Sequence, residues 1–98
     1  MRKNKIQLLH RKKAGQIMNK KTQNKHIKNL KIIFPASMVR PSEEFDNEWS
    51  GCLWTSFGED GNYDYWTGYT NSTLKKYLDK HNLYIEPYDA GTMFVCPE

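Results

Sequence analysis

The chain has 98 residues, with 15 Lys or Arg against 11 Asp or Glu and a formal net charge of +4. That length bounds it to one domain, at the small end of what folds alone. No apolar run approaches the roughly 20 residues that span a bilayer, and no CxxC, Cys/His or HExxH spacing marks a metal centre.

The net charge conceals a division. Residues 1–40 hold twelve Lys or Arg and no acid, whereas residues 41–98 hold three Lys and all eleven acids, so +12 and −8 sum to +4. Such segregation points to charged partners. We divide the chain into a basic N-terminal arm, residues 1–28, and a compact, acidic, aromatic-rich lobe, residues 29–98. Few aliphatic residues punctuate the arm, and Gly15 interrupts its weak helical periodicity. Too little apolar surface is available there to offset ordering entropy, which predicts a flexible or marginally helical segment. Met1 to Lys5 resembles a signal n-region, but Ile6 to Leu9 is too short for an apolar core before His10-Arg11-Lys12-Lys13, so a cytoplasmic location is expected.

Leu30 to Phe34 is the first segment with strand character, closed by Pro35. Arg40 to Trp49 reads as a polar connection in which Ser42, Glu44 and Phe45 can start a short helical turn. Gly51 to Phe57 alternates, with Leu53, Thr55 and Phe57 on one face. The turn formers Gly58 to Asn62 follow, and Tyr63 to Tyr69 resumes the alternation, which predicts a β-hairpin with a five-residue loop. Thr70, Asn71 and Ser72 offer helix caps. Leu74, Tyr77, Leu78 and His81 then recur at i, i+3, i+4, i+7, predicting an amphipathic helix that ends near Asn82. Leu83 to Tyr88 and Thr92 to Cys96 form a last strand pair, with Pro87 confining its strand to an edge or a bend. The expected fold is α+β: a small antiparallel sheet of four to five strands, ordered β–ββ–α–ββ, with one helix packed on it.

Candidate chemistry is sparse. Asp60, Asn62 and Asp64 imitate the opening of a calcium loop, yet the required sixth-position Gly and twelfth-position Glu would be Tyr65 and Asn71, so a turn is the better reading. Cys52 and Cys96 sit in apolar contexts and read as buried free thiols. Either one with His81 forms the sole candidate nucleophile pair, and nothing local supports it. No cofactor is expected, and an enzyme is the minority reading.

The arm presents Arg2, Lys3, Lys5, Arg11, Lys12, Lys13, Lys20, Lys21, Lys25 and Lys28, continued by Lys31. These can approach phosphates in succession and release counterions. Lysine is a point charge, whereas arginine makes the bidentate guanine contact, so the arm should bind nucleic acid without reading sequence. Trp49, Trp54, Tyr63, Tyr65, Trp66 and Tyr69 form an aromatic belt. Half of these rings are expected in the core, Trp54 or Trp66 first. The rest can stack bases or anchor a protein, and the surrounding acids favour a protein, because carboxylates repel phosphates. Glu43, Glu44, Asp46, Glu48, Trp49, Tyr63, Tyr65 and Trp66 are the candidate protein-binding residues.

The expectation is therefore a small non-enzymatic protein that engages a nucleoprotein assembly, with no membrane role. The alternatives are an inhibitor that occupies a nucleic-acid-handling enzyme by acidic phosphate mimicry, and a small Cys/His enzyme. The Lys-over-Arg bias and frequent Asn would suit a small factor of a phage or mobile element.

Overall fold

The computed structural model describes residues 17–98. In chain order these form helix α1 (Lys20–Ile33), strand β1 (Val39–Pro41), 3-10 turns at Ser42–Glu44 and Asn47–Trp49, strand β2 (Leu53–Thr55), helix α2 (Ser72–Lys80), and strands β3 (Leu83–Pro87) and β4 (Met93–Pro97). The fold is α+β. Its four strands form one antiparallel sheet in the order β1-β2-β4-β3.

Among the described residues two helices are present, and the first crosses residue 28. Asn19 caps α1, its side chain accepting from the Thr22 amide at 2.8 Å. Phe34 N donates back to Leu30 O before Pro35 ends the turn. Leu30 to Phe34 is thus the end of a helix and not a strand. Its β-branched Ile32 and Ile33 stay exposed, while Leu30 is fully buried. Met18, Gln23 and His26 are also buried, so the packed body begins before residue 20. Arg2, Lys3, Lys5, Arg11, Lys12 and Lys13 lie outside the described residues.

The expected hairpin from Gly51 to Tyr69 does not form. β2 is flanked on one side by β1, through Val39↔Thr55, and on the other by β4, through Leu53↔Val95. Both of its ladders are therefore occupied, and no edge remains for Tyr63 to Tyr69. That segment closes on itself instead, with one isolated bridge between Tyr63 and Thr70. The last strand pair forms as expected, with Ile85↔Val95 in register, and β3 with its terminal Pro87 lies on the sheet edge. Asn71 caps α2, accepting from the amides of Thr73 and Leu74. Asn82 takes φ +55° just past the helix end, where a left-handed residue reverses the chain.

The sheet separates two apolar clusters. On one face Leu30, Leu74 and Leu78 from the helices meet Val39, Leu53, Leu83, Met93 and Val95. On the other, Phe45 and Trp49 from the 3-10 turns cover Cys52, Trp54, Phe94 and Cys96. The Trp49 ring stacks on Phe94 with centroids 4.0 Å apart and planes 5° from parallel. Fully burying side chains of this kind is worth about 1.5–3 kcal/mol each, so two small cores on one sheet offset the shortness of its strands.

A polar seam fixes α1 to the lobe. Gln23 Nε2 donates to Glu43 Oε1 at 2.8 Å and to Cys52 O at 2.7 Å, and the Gly51 amide donates to Glu43 Oε2 at 2.8 Å. Met18 N donates to Gly51 O at 2.9 Å. Gln23 is almost fully buried with both amide hydrogens bonded, which satisfies the requirement that buried polar groups find partners.

Candidate nucleic-acid and protein interfaces

Helix geometry turns the lysines of α1 into a surface. At 3.6 residues per turn, Lys20, Lys21, Lys25, Lys28 and Lys31 fall within an arc of about 140°, and all five are exposed. Gln23, His26 and Leu30 occupy the opposite, buried side. No acidic residue occurs in α1. The ion pairs among the described residues, Arg40–Glu44 at 2.7 Å and Lys75–Asp79 at 3.3 Å, leave these lysines out. Lys20 is the exception in part, because its charge helps hold Glu43 ionised.

The inner side of α1 meets α2 through a titratable cluster. His26 is 3% exposed, and its Nδ1 lies 2.6 Å from Tyr77 Oη. Asn29 Nδ2 donates to the same oxygen at 3.3 Å. The His26 and His81 rings meet edge to face at 5.0 Å, and the Tyr77 and His81 rings lie tilted by 40° with centroids 4.3 Å apart. Burial, then His81, then Lys25 push the His26 pKa down to about 4. His81 is lowered as well, by burial and by Lys25 and Lys80. Burial raises the Tyr77 phenol. The consistent proton assignment has Tyr77 Oη–H donating to a neutral His26 while accepting from Asn29.

The acidic candidates have separate tasks in the fold. The Glu43 carboxylate serves the seam to α1: burial opposes its ionisation, yet the bonds from Gln23 and Gly51 hold its pKa below the usual carboxylate value. Glu44 pairs with Arg40. Asp46 caps the second 3-10 turn, accepting from the Glu48 amide at 2.9 Å. Glu44, Asp46 and Glu48 are exposed. Asp60 and Asp64 brace turns: Asp60 accepts from the hydroxyls of Ser37 and Ser56 and from Asn62, and Asp64 Oδ1 accepts from the Trp66 amide at 2.9 Å.

The aromatic belt is sorted differently from expectation. Trp49 is 4% exposed and belongs to the core, where Phe94 takes its face, so it offers no ring to a partner. Trp54 is half-buried, and Trp66, a candidate both for the core and for protein binding, is 80% exposed. The reason is the loop. Asp64 N donates to Tyr69 O and Gly68 N donates to Asp64 O, each at 2.8 Å, closing a tight turn that carries Trp66 outward. Gly68 supports this with φ +77°. Tyr63 and Tyr65 pack against the helix-side core, and Tyr69 is 57% exposed.

Cys52 and Cys96 are buried on the sheet face away from α2. His81, beside Tyr77, belongs to the helix side, so neither cysteine is brought to it. Among the described residues no group of three or more His, Cys, Asp or Glu is placed to hold a metal ion, and no helix is long and apolar enough to cross a membrane. Residue spacing gave no hint of the His26–Tyr77–His81 cluster, because its members come from two helices, with His26 and Tyr77 51 positions apart. No known protein family, curated protein or solved structure matches the chain.

Proposed function

We propose that the chain is a small binding protein engaging a nucleoprotein assembly, its basic residues contacting phosphate and its acidic, aromatic lobe docking on a protein. The observation that carries this reading is the outward lysine face of α1. Five cations on a helix without acids form a positive stripe, and six further Lys or Arg precede it in the sequence. A helix fixes the spacing of its charges, so phosphates meet a pre-ordered row, and counterion release supplies the affinity. Lysines in that row position a duplex or a strand without reading bases.

Phosphate mimicry by the 43–48 acids, the inhibitor reading, is less favoured. Three of its four carboxylates already serve Gln23 and Gly51, Arg40 or a turn amide.

The test uses the full chain with Lys20, Lys21, Lys25 and Lys28 all replaced by Gln. Binding to mixed-sequence DNA and RNA is followed by fluorescence anisotropy at rising salt. For each phosphate that the variant no longer neutralises, the slope of log K against log salt should shrink by about 0.9 on duplex DNA. Equal affinity and an unchanged slope would refute the role of α1.

A further inference from the structure

We infer that the Tyr63–Tyr69 loop is a receptor for a cationic side chain, a lysine or arginine carried on a basic segment of a protein partner. The inference rests on the reading that the lobe docks on a protein, and it names the chemistry of that contact.

The loop shapes an open cavity of about 350 Å³ bordered by Tyr63, Tyr65, Trp66, Tyr69 and Asp64. Its rings stand at angles to one another: Tyr65 and Trp66 are 85° apart with centroids 4.9 Å apart. One of these two rings turns its edge to the other's face, and Tyr63 and Tyr69 complete an aromatic lining, whose negative π-faces attract an ammonium or guanidinium group. Asp64 adds a carboxylate. Its Oδ1 is engaged by the Trp66 amide, and no hydrogen bond among the described residues engages Oδ2. Burial first, then the charges of Asp64 and Glu86, raise the Tyr63 phenol, in keeping with a negative field at the cavity.

Two further observations separate this loop from an incidental exposed ring. Its backbone is braced throughout, by the Asp64–Tyr69 and Gly68–Asp64 bonds, by Tyr69 N donating to Thr67 Oγ1 at 3.2 Å, and by Asn71 N donating to Asn62 O at 2.8 Å. A backbone ordered before binding loses little freedom on contact. Trp66 also contributes little buried surface to the fold for its size, since 80% of it faces solvent. Exposed, pre-ordered Trp and Tyr are the residues that anchor protein interfaces. Charge complementarity selects the occupant. Asp64 borders the cavity, and Glu59 and Asp60 precede the loop, so a basic segment is drawn in and a nucleic-acid strand is repelled.

The experiment titrates labelled, end-capped hexalysine into the full chain at physiological salt, with hexaglutamate and oligo-dT as comparisons. Trp66→Ala should weaken hexalysine binding about 3- to 30-fold, the range expected for losing one cation–π wall. Asp64→Asn keeps an oxygen for the Trp66 amide and removes the charge, and should weaken binding several-fold at low salt and less at high salt. Both variants should keep the wild-type melting midpoint, Trp66 being exposed. Undiminished hexalysine binding by Trp66→Ala overturns the inference. So does the absence of hexalysine binding to the wild type, or a Trp66→Ala loss confined to oligo-dT, which would make the loop a base-stacking site. Phosphate binding through α1 is read separately, because Trp66→Ala should leave the salt slope on duplex DNA unchanged.

Discussion

Acidification should loosen the attachment of α1 to the lobe through His26. The ring is 3% exposed and faces His81, Lys25, Asn29 and Tyr77, so a proton arriving on it is met by burial, by two neighbouring basic groups and by an amide that only donates to Tyr77. The folded pKa is about 4, against 6.5 for an unperturbed histidine. Above pH 6.5 both folded and unfolded chains carry a neutral ring, and His26 contributes no pH dependence. As pH falls below 6.5 the unfolded chain takes up a proton that the folded chain refuses, and stability is lost until the pH reaches about 4. The interval of about 2.5 pH units, at about 1.4 kcal/mol per unit, sets the full loss at about 3 kcal/mol. That is a large share of what a domain of this size commands. Urea unfolding of the wild type and of His26→Gln, repeated from pH 7.5 to about 4.5, isolates the effect, because carboxylate titrations cancel in the difference. His26→Gln should be the less stable protein at neutral pH and should lose less on acidification, so that the two curves approach. Parallel curves would show that the buried imidazole accepts its proton as readily as an exposed one, and the reasoning would fail.

Other perturbations bear on the remaining joints. Leu30→Ala removes the fully buried side chain by which α1 docks and should cost about 2–5 kcal/mol in urea unfolding. Asn71→Ala deletes the cap of α2 and should cost about 1 kcal/mol, read as a lowered melting midpoint. Gly51→Ala places a methyl group at φ +80°, 2.7 Å from Ile17 Cγ2, at the point where Met18 joins the lobe. Strain in the left-handed region alone costs about 1–2 kcal/mol, so circular dichroism should show a melting midpoint lower by several degrees.

The parts of the fold that could be read from the sequence are those whose stability is local. Asn71, the Leu74–Leu78 stripe and Asn82 act within one helix, and β3 and β4 are neighbours in chain and in space. What escaped reading depends on distant partners. α1 is held by a glutamine, a histidine and one leucine, and a buried face built largely from polar residues leaves almost no apolar period to detect. Its last turn, with Ile32 and Ile33, has strand composition, yet Leu30 and the Phe34 backbone bond decide for helix. Tyr63 to Tyr69 alternates as a strand would, but its strand partner was already paired with β1 and β4. The candidate site residues divide along the same line. The lysines could be found by counting, whereas their rigid spacing, the withdrawal of Trp49 and Glu43 into the fold and the outward turn of Trp66 all follow from tertiary contacts.

The margins of the sheet limit how anything can attach to it. β1 is three residues long and ends in Pro41, and β3 on the other side ends in Pro87. A visiting strand would find short ladders that each lack an amide donor at one end, which discourages edge-to-edge stacking between copies and β-augmentation by a foreign peptide. In the proposed binding role, recognition is thereby left to side chains. Substitutions on the lysine face or at Trp66 should therefore retune affinity without disturbing the backbone ladder, and concentrated protein should resist growth into sheet-like aggregates.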